Sequence, residues 1–335
     1  MEYRILGKTG LKVSSLGFGG IPIQRIDAAG TKVLMHRLME YGINYIDTAR
    51  GYSVSEAYLG EALEGIRDKF ILATKSMARD KAAMAKDIDI SLSNLRTDYI
   101  DLYQVHNPSL EQLEQVIGES GALEALQEAK AAGKIGHIGL TAHSAKVLEK
   151  ALELDWVETV MFPYNVVEIH GEALIAKCKE KNVGFIAMKP LAGGAIEDAT
   201  LAMRFVTQNP NVTVAIPGMA EIKELEQNLA ATNDVSPLSE AELEKINTIR
   251  KELGTQFCRR CGYCAPCSVG IVIPNMFVFE GYLQRYGLAD WAKGRYNALE
   301  KTASDCIGCG ICETRCPYNL PIREMLKHTV ASFGK

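Results

Sequence analysis

Four residues of this chain have the types and spacing of a group that delivers protons. Asp47 in NYIDTARGY, Lys75 in FILATKS and His106 in LYQVHNP each close a short β-rich run, 28 and 31 residues apart, and Tyr52 follows Asp47 by five. Adjacent strands lie about 5 Å apart, so side chains at the ends of neighbouring strands can converge. Reducing a carbonyl by hydride leaves an alkoxide that must receive a proton. A phenol is a weak donor at its ordinary pKa of about 10. An ammonium beside it favours the phenolate and eases proton release. Lys75 can supply that charge, Asp47 can hold and compensate it, and His106 can orient the substrate oxygen. Singly, Asp47 reads as a helix N-cap, Lys75 as a surface charge and His106 as a satisfied strand-end residue. The case rests on their joint placement.

A second group is made of thiols. Of nine cysteines only Cys178 precedes residue 258, and it reads as a helix packing residue. The last run is Cys306-x2-Cys309-x2-Cys312-x3-Cys316-Pro317, with Gly308 and Gly310 permitting a tight loop. This spacing resembles the [4Fe–4S] ligands of bacterial ferredoxins. An earlier run, Cys258-x2-Cys261-x2-Cys264-x2-Cys267, differs in its last step and has Ser268 where proline is expected. In two-cluster ferredoxins each fourth cysteine serves the other run's cluster. That resemblance implies one cluster on Cys258, Cys261, Cys264 and Cys316, and another on Cys306, Cys309, Cys312 and Cys267. Zinc is the competing reading, since C-x2-C pairs bind it tetrahedrally, but four thiols in continuous x2 steps favour iron–sulfur. The start, MEYRILGKTG, lacks the apolar segment of a secretory signal, so a disulfide framework is not expected.

These groups need elements to position them. From about Val13 to Ala231, eight β-rich runs (VSSLGFGG, NYIDTA, FILATKS, YIDLYQVH, IGHIGLTA, TVMFPYN, VGFIAMKP and VTVAIPG) alternate with helical patterns such as LMHRLMEYG and ALEALQEAKAAGK. Eight β/α units in roughly 230 residues predict a closed (β/α)8 barrel, whose chemistry sits at the C-terminal ends of its strands. An open doubly wound sheet is the alternative, but LGFGGIP lacks its Gly-rich spacing. A turn at Lys8-Thr9-Gly10 predicts a hairpin plugging the barrel bottom. SPLSEAELEKINTIRKELG opens on a capping box, Ser239 with Glu242, and reads as an outer helix ahead of a linker near Gly254. The expected domains are a barrel over 1–253 and an α-helical ferredoxin-like domain over 254–335, with two helices parted at Gly287. A net charge of -4 and 47% hydrophobic residues describe an ordinary globular chain with no polyanion-seeking surface. Nucleic acid is therefore not an expected partner. No run approaches the ~20 apolar residues of a membrane span, and a cytoplasmic location is the expectation.

YIDTARGYSVSEAYLG, ILATKS and DLYQVHNP resemble the signature regions of the aldo-keto reductases, over about residues 1–250. The resemblance implies an NAD(P)H-linked oxidoreductase acting on a small carbonyl substrate, with Tyr52 as general acid. It further implies nucleotide contacts at Thr141, Asn165, Pro190, Leu191, Gly193, Gly194, Gly218 and Asn228. Here the chain departs from the family. In IPGMAEIKELEQN, Gly218 replaces a Lys and Glu224 stands where an Arg would hold the 2′-phosphate of NADP, which puts NADP against NAD in question. Met161 and Met188 occupy the usual Gln and aromatic positions, and Thr141 and Ala142 replace Ser-Asn. PLAGG, Pro190 to Gly194, reads as a backbone cradle for pyrophosphate, and a helix start near Ala220 as a seat for the adenylate phosphate.

Hydride chemistry moves two electrons and a [4Fe–4S] cluster one, so a flavin commonly joins such centres. A barrel's phosphate site after strands seven and eight leaves room for one, although no residue pattern identifies it. Four readings follow: a carbonyl reductase with a fused two-cluster domain; an electron-transfer or redox-sensing subunit whose barrel docks a partner such as ferredoxin; a flavin-bridged ferredoxin-dependent reductase; and clusters that only staple the small domain.

Overall fold

A computed structural model describes residues 1–334. The chain divides into two compact units, one of Met1–Leu191 with Asp198–Leu238, the other of Ala192–Glu197 with the chain from Ser239 onward.

The first unit opens on a hairpin of β1 (Tyr3–Ile5) and β2 (Lys12–Ser14), antiparallel with Tyr3 opposite Ser14. Eight parallel strands follow in sequential order: β3 (Phe18–Gly19), β4 (Tyr45–Asp47), β5 (Ile71–Ser76), β6 (Ile100–His106), β7 (Ile135–Thr141), β8 (Thr159–Pro163), β9 (Gly184–Met188) and β10 (Val214–Ile216). Parallel bridges Leu16–Ala215 and Gly19–Gly218 join the two edges, so the sheet is a closed (β/α)8 barrel. The crossover helices are α1 (Ala28–Glu40), α2 (Ser55–Ala62), α3 (Lys81–Asn94), α4 (Leu110–Ile117) with α5 (Ala122–Ala131), α6 (Ala145–Ala151), α7 (Glu172–Glu180), α8 (Ala199–Thr207) and α9 (Ile222–Asn233). Several start where the sequence supplies a cap. Asp27, Asp80, Ser109 and Asp198 each accept a hydrogen bond from a first-turn amide.

Strand alternation sorts the core. Tyr45, Ala73, Leu102, Met161, Ile186 and Val214 fill the barrel interior, and Leu6 and Val13 reach it from the hairpin. A larger apolar layer lies between strands and helices, and Cys178 packs in it. The expected first strand, VSSLGFGG, is divided. Val13 pairs with Arg4 in the hairpin, the Ser14 hydroxyl donates to the Leu16 carbonyl at 2.6 Å, and only Phe18 and Gly19 join the barrel.

The second unit is helical: α10 (Glu240–Gly254), α11 (Ile273–Gln284), α12 (Ala289–Asn297), α13 (Ile311–Thr314) and α14 (Ile322–Phe333). Ser239 and Glu242 form the expected capping box at the start of α10. This helix groups with the second unit, whereas the sequence reading placed it at the end of the barrel domain. Gly287, at φ +66°, separates α11 from α12. Met276, Phe277, Phe279, Tyr296, Leu320 and Leu326 form this unit's core together with Cys264, Cys312 and Cys316. Among the described residues no helix is long and apolar enough to cross a membrane.

Candidate active site and cysteine runs

Asp47, Lys75 and His106 stand at the C-terminal ends of β4, β5 and β6, and Tyr52 on the loop from β4 to α2. The ammonium of Lys75 donates to Asp47 Oδ1, and to the Thr48 carbonyl at 2.7 Å. It also lies 4.9 Å from the centre of the Tyr52 ring. The Tyr52 and His106 rings meet edge to face, centroids 6.2 Å apart at 87°. The four side chains therefore converge, with the Tyr52 ring close to both the amine and the imidazole.

Asp47 and Lys75 are 3% and 2% exposed. Burial pushes the Asp47 carboxyl up and the Lys75 ammonium down; their mutual attraction opposes both shifts. An amine so placed surrenders its charge more readily than a surface lysine; the Asp47 carboxylate, and more weakly Glu56, favour its retention. Two further side chains, which the sequence reading missed, hold this arrangement. Gln104 Nε2 donates to Asp47 Oδ2 at 3.0 Å. It precedes His106 by two on β6, on the same face, and that period of two was the available signal. Arg79, after β5, donates through Nη2 to the His106 carbonyl at 2.8 Å, and burial lowers its pKa to about 10.

The expected nucleotide residues divide by surroundings. Thr141 is buried at the end of β7, and its hydroxyl accepts from the Asn107 amide at 2.9 Å, which steadies the residue after His106. Asn165 has both ends of its amide engaged internally: Nδ2 donates to Glu168 Oε2 and the Lys189 carbonyl, and Oδ1 accepts from the Val167 and Glu168 amides. It shapes its own loop rather than offering free groups to a nucleotide. A Cβ on Gly218 would lie 2.7 Å from Pro22 Cγ, so the close approach at the β3–β10 seam excludes the family's lysine. Asn228 is 4% exposed and its Oδ1 has no hydrogen-bond partner among the described residues. Pro190 is buried and Leu191 half-buried at the end of the first unit's segment. Gly193 and Gly194 belong to the segment Ala192–Glu197, with φ +66° and +80°, and Arg285 Nε donates to the Gly193 carbonyl at 3.0 Å.

The helix start near Ala220 is not open to a phosphate. Glu224 folds back in a capping box, Oε2 accepting from the amides of Ala220 at 2.7 Å and Glu221 at 3.1 Å. Its Oε1 lies 3.4 Å from Arg25. A carboxylate already fills the place expected for the adenylate phosphate.

In the second unit the thiols approach one another across the two runs. Burial pushes Cys264 up to about 12, with Cys258, Cys261 and Cys312 adding to the rise. Burial likewise raises Cys261 and Cys312, with Cys316 adding to the rise of the first, and Glu313 and then Cys306 to that of the second. Ser268, next to Cys267, contacts Cys309 Sγ at 3.5 Å, and Arg315 donates to the Pro266 carbonyl at 2.9 Å. The Arg260 amide donates to Cys258 Sγ at 3.4 Å, and the amides of Tyr263 and Ile311 do so to Cys261 and Cys309. Each donor lies two residues after its cysteine. Among the described residues, no three His, Cys, Asp or Glu side chains are drawn around a site for a single metal ion. A four-iron cube spreads its thiolates wider than one ion does, and tetrathiolate iron–sulfur chemistry suits eight clustered thiols with amide donors to sulfur.

The family model for the aldo/keto reductase family matches residues 15–200, and that for a 4Fe-4S dicluster domain matches residues 257–321. L-galactose dehydrogenase of Arabidopsis thaliana is 28% identical over 292 residues, 71% of this chain and 90% of that protein. Aldo-keto reductase YhdN of Bacillus subtilis is 29% identical over 216 residues, 58% of this chain and 64% of its own. The holo form of aldo-keto reductase AKR11C1 from Bacillus halodurans superposes with a TM-score of 0.64 at 26% identity, covering 74% of this chain and 96% of that one.

Proposed function

Because this chain belongs to the aldo/keto reductase family and carries a 4Fe-4S dicluster domain, we propose that it reduces a small carbonyl substrate with a nicotinamide dinucleotide. In the same proposal its eight clustered cysteines would hold two [4Fe–4S] groups, whose one-electron chemistry would suit a carrier protein of the ferredoxin type. A bound nicotinamide supplies hydride to the carbonyl carbon. The chain's own residues handle the oxygen. Tyr52 donates its phenolic proton to the developing alkoxide, and His106 holds that oxygen in line. Lys75, charged and dry, stabilises the phenolate left behind, and Asp47 keeps the ammonium from giving up its proton instead. Gln104 fixes the carboxylate so that one oxygen always faces Lys75.

Asn228, whose buried oxygen has no partner among the described residues, fits an amino group such as that of adenine. Glu224 fits a dinucleotide whose ribose carries free hydroxyls better than one with a 2′-phosphate, which supports NADH over NADPH. The effect of Cys316 on Cys261, and the contact of Ser268, next to Cys267, with Cys309, support a crossed pairing: Cys258, Cys261, Cys264 and Cys316 for one cluster, Cys267, Cys306, Cys309 and Cys312 for the other.

The observation that carries the reading is the buried Lys75–Asp47 pair set against the Tyr52 ring. Anaerobic turnover of a carbonyl panel with NADH tests it. Tyr52→Phe is expected to lower kcat by about 10²–10⁴ while dinucleotide affinity stays within a few-fold. Undiminished turnover in that variant would overturn the assignment.

A further inference from the structure

Tyr52 sits on a loop, and proton transfer needs its donor held to a fraction of an ångström. The charged residues on either side of it, Arg50 and Glu56, are joined to each other and to the adjacent pair Thr74 and Lys75. The Arg50 amide donates to the Lys75 carbonyl at 3.0 Å. Arg50 Nη1 donates to Glu56 Oε2 at 2.8 Å. Thr74 Oγ1 donates to Glu56 Oε1 at 2.8 Å, which closes the circuit. Alternation along β5 turns Thr74 toward the helices while Lys75 faces the barrel mouth. Glu56 therefore grips the lysine's strand from behind.

The grip is buried and fully engaged. Glu56 is 1% exposed and also accepts from Ser91 Oγ at 2.8 Å and Asn94 Nδ2 at 3.2 Å, both on α3. Arg50 Nε lies 3.6 Å from Asp87, also on α3. The loop is held a second time where Thr48 Oγ1 meets Ser55 Oγ at 2.8 Å and Ser55 donates to the Gly20 carbonyl at 2.9 Å. The charged and titratable groups around Lys75 are thus Asp47 on β4, Arg50 and Tyr52 on the loop, Glu56 on α2, Asp87 on α3 and His106 on β6. A buried ion pair is seldom the most stabilising filling for such a space, but its directed bonds select one geometry.

We propose that the Arg50–Glu56 pair is a staple, anchored on Thr74 and Lys75, that sets the separation between the Tyr52 hydroxyl and the Lys75 amine. Both are positioning residues, and the role rests on the reading of Tyr52 as proton donor. Neither residue needs to touch substrate.

Two measurements on the full chain test this without relying on turnover. The first is amide hydrogen exchange in Glu56→Gln. Exchange at the Arg50 and Tyr52 amides is expected to rise on the order of tenfold or more, with β4 and β6 unchanged. The second is the titration of the Tyr52 phenol followed by carbon NMR of labelled tyrosine, assigned with Tyr52→Phe. In Glu56→Gln it moves toward the titration seen in Lys75→Met, and Glu56→Asp, which keeps the charge, recovers part of the difference. Unchanged exchange and titration in a folded Glu56→Gln protein would overturn the staple. Should that variant not fold, Thr74→Val and Arg50→Met take the same measurements with the same outcomes. A Tyr52 titration identical in the parent and Lys75→Met would instead overturn the proton-donor reading, while amide exchange still decides the staple.

Discussion

Gln104 donates its side-chain amide to Asp47 Oδ2 at 3.0 Å while Lys75 takes Oδ1 of the same carboxylate. Replacing this amide by an isosteric apolar side chain leaves a buried carboxylate oxygen without a donor. Gln104→Leu is therefore expected to lose about 1–3 kcal/mol in urea unfolding. Its kcat should fall more than its KM rises, because the lysine's partner is no longer fixed. Parent-like stability and kcat would remove Gln104 from the site.

The carboxylate of Glu224 fills the start of α9. In equilibrium titrations the protein is expected to bind NADH at least about tenfold more tightly than NADPH. Glu224→Ser, which frees the Ala220 and Glu221 amides, should narrow that ratio to a few-fold. Preference for NADPH in the parent would show that another base carries the 2′-phosphate.

Crossed ligation makes a pairing prediction. Anaerobically purified protein should carry about eight irons per chain. Cys316→Ala and Cys264→Ala should lose the same cluster and leave the same paramagnetic resonance spectrum, and Cys267→Ala should match Cys309→Ala. If each run kept its own cluster, Cys316→Ala would match Cys309→Ala instead.

Glu158 supplies a pH dependence of stability remote from the active site. Burial alone would raise its carboxyl. Bonds from His137 and from Lys130, at 2.7 and 2.6 Å, and from the Ile138 amide outweigh that and bring it to about 2. A carboxyl depressed in the folded state stabilises the fold above its unfolded pKa, and that contribution is lost as pH falls toward the folded value. Glu158→Gln should thus be less stable than the parent at pH 7 by about 1–3 kcal/mol, with the gap closing as pH drops from about 4.5 to about 2. A gap that stays constant through that window would assign the loss to packing.

The barrel was legible, and so was the convergence of Asp47, Lys75 and His106, because a period of two marks which strand-end residues face inward and these three carry charge or imidazole there. Gln104 obeys the same period but is neutral and announced no chemistry. The division of VSSLGFGG was hidden, since the pairing of Val13 with Arg4 depends on a partner strand rather than on local propensity. Glu224 was noticed as a missing arginine, yet its role depends on a backbone turn that lets it reach amides three and four residues earlier. Asn165 shows the reverse case: the family resemblance implied a ligand contact, and its neighbours engage both ends of its amide. The cysteine spacing declared the metal chemistry, while the approach of Cys316 to the first run needed the folded chain.

The polypeptide visits the second unit for the six residues Ala192–Glu197 and then returns to the first. No single cleavage can therefore liberate both units whole. A protein truncated near Leu238 would retain Gly193 but lose the Arg285 guanidinium that binds its carbonyl, and a freestanding C-terminal fragment would carry that guanidinium without the Gly193 carbonyl. Swapping either module into another scaffold must transplant both stretches together.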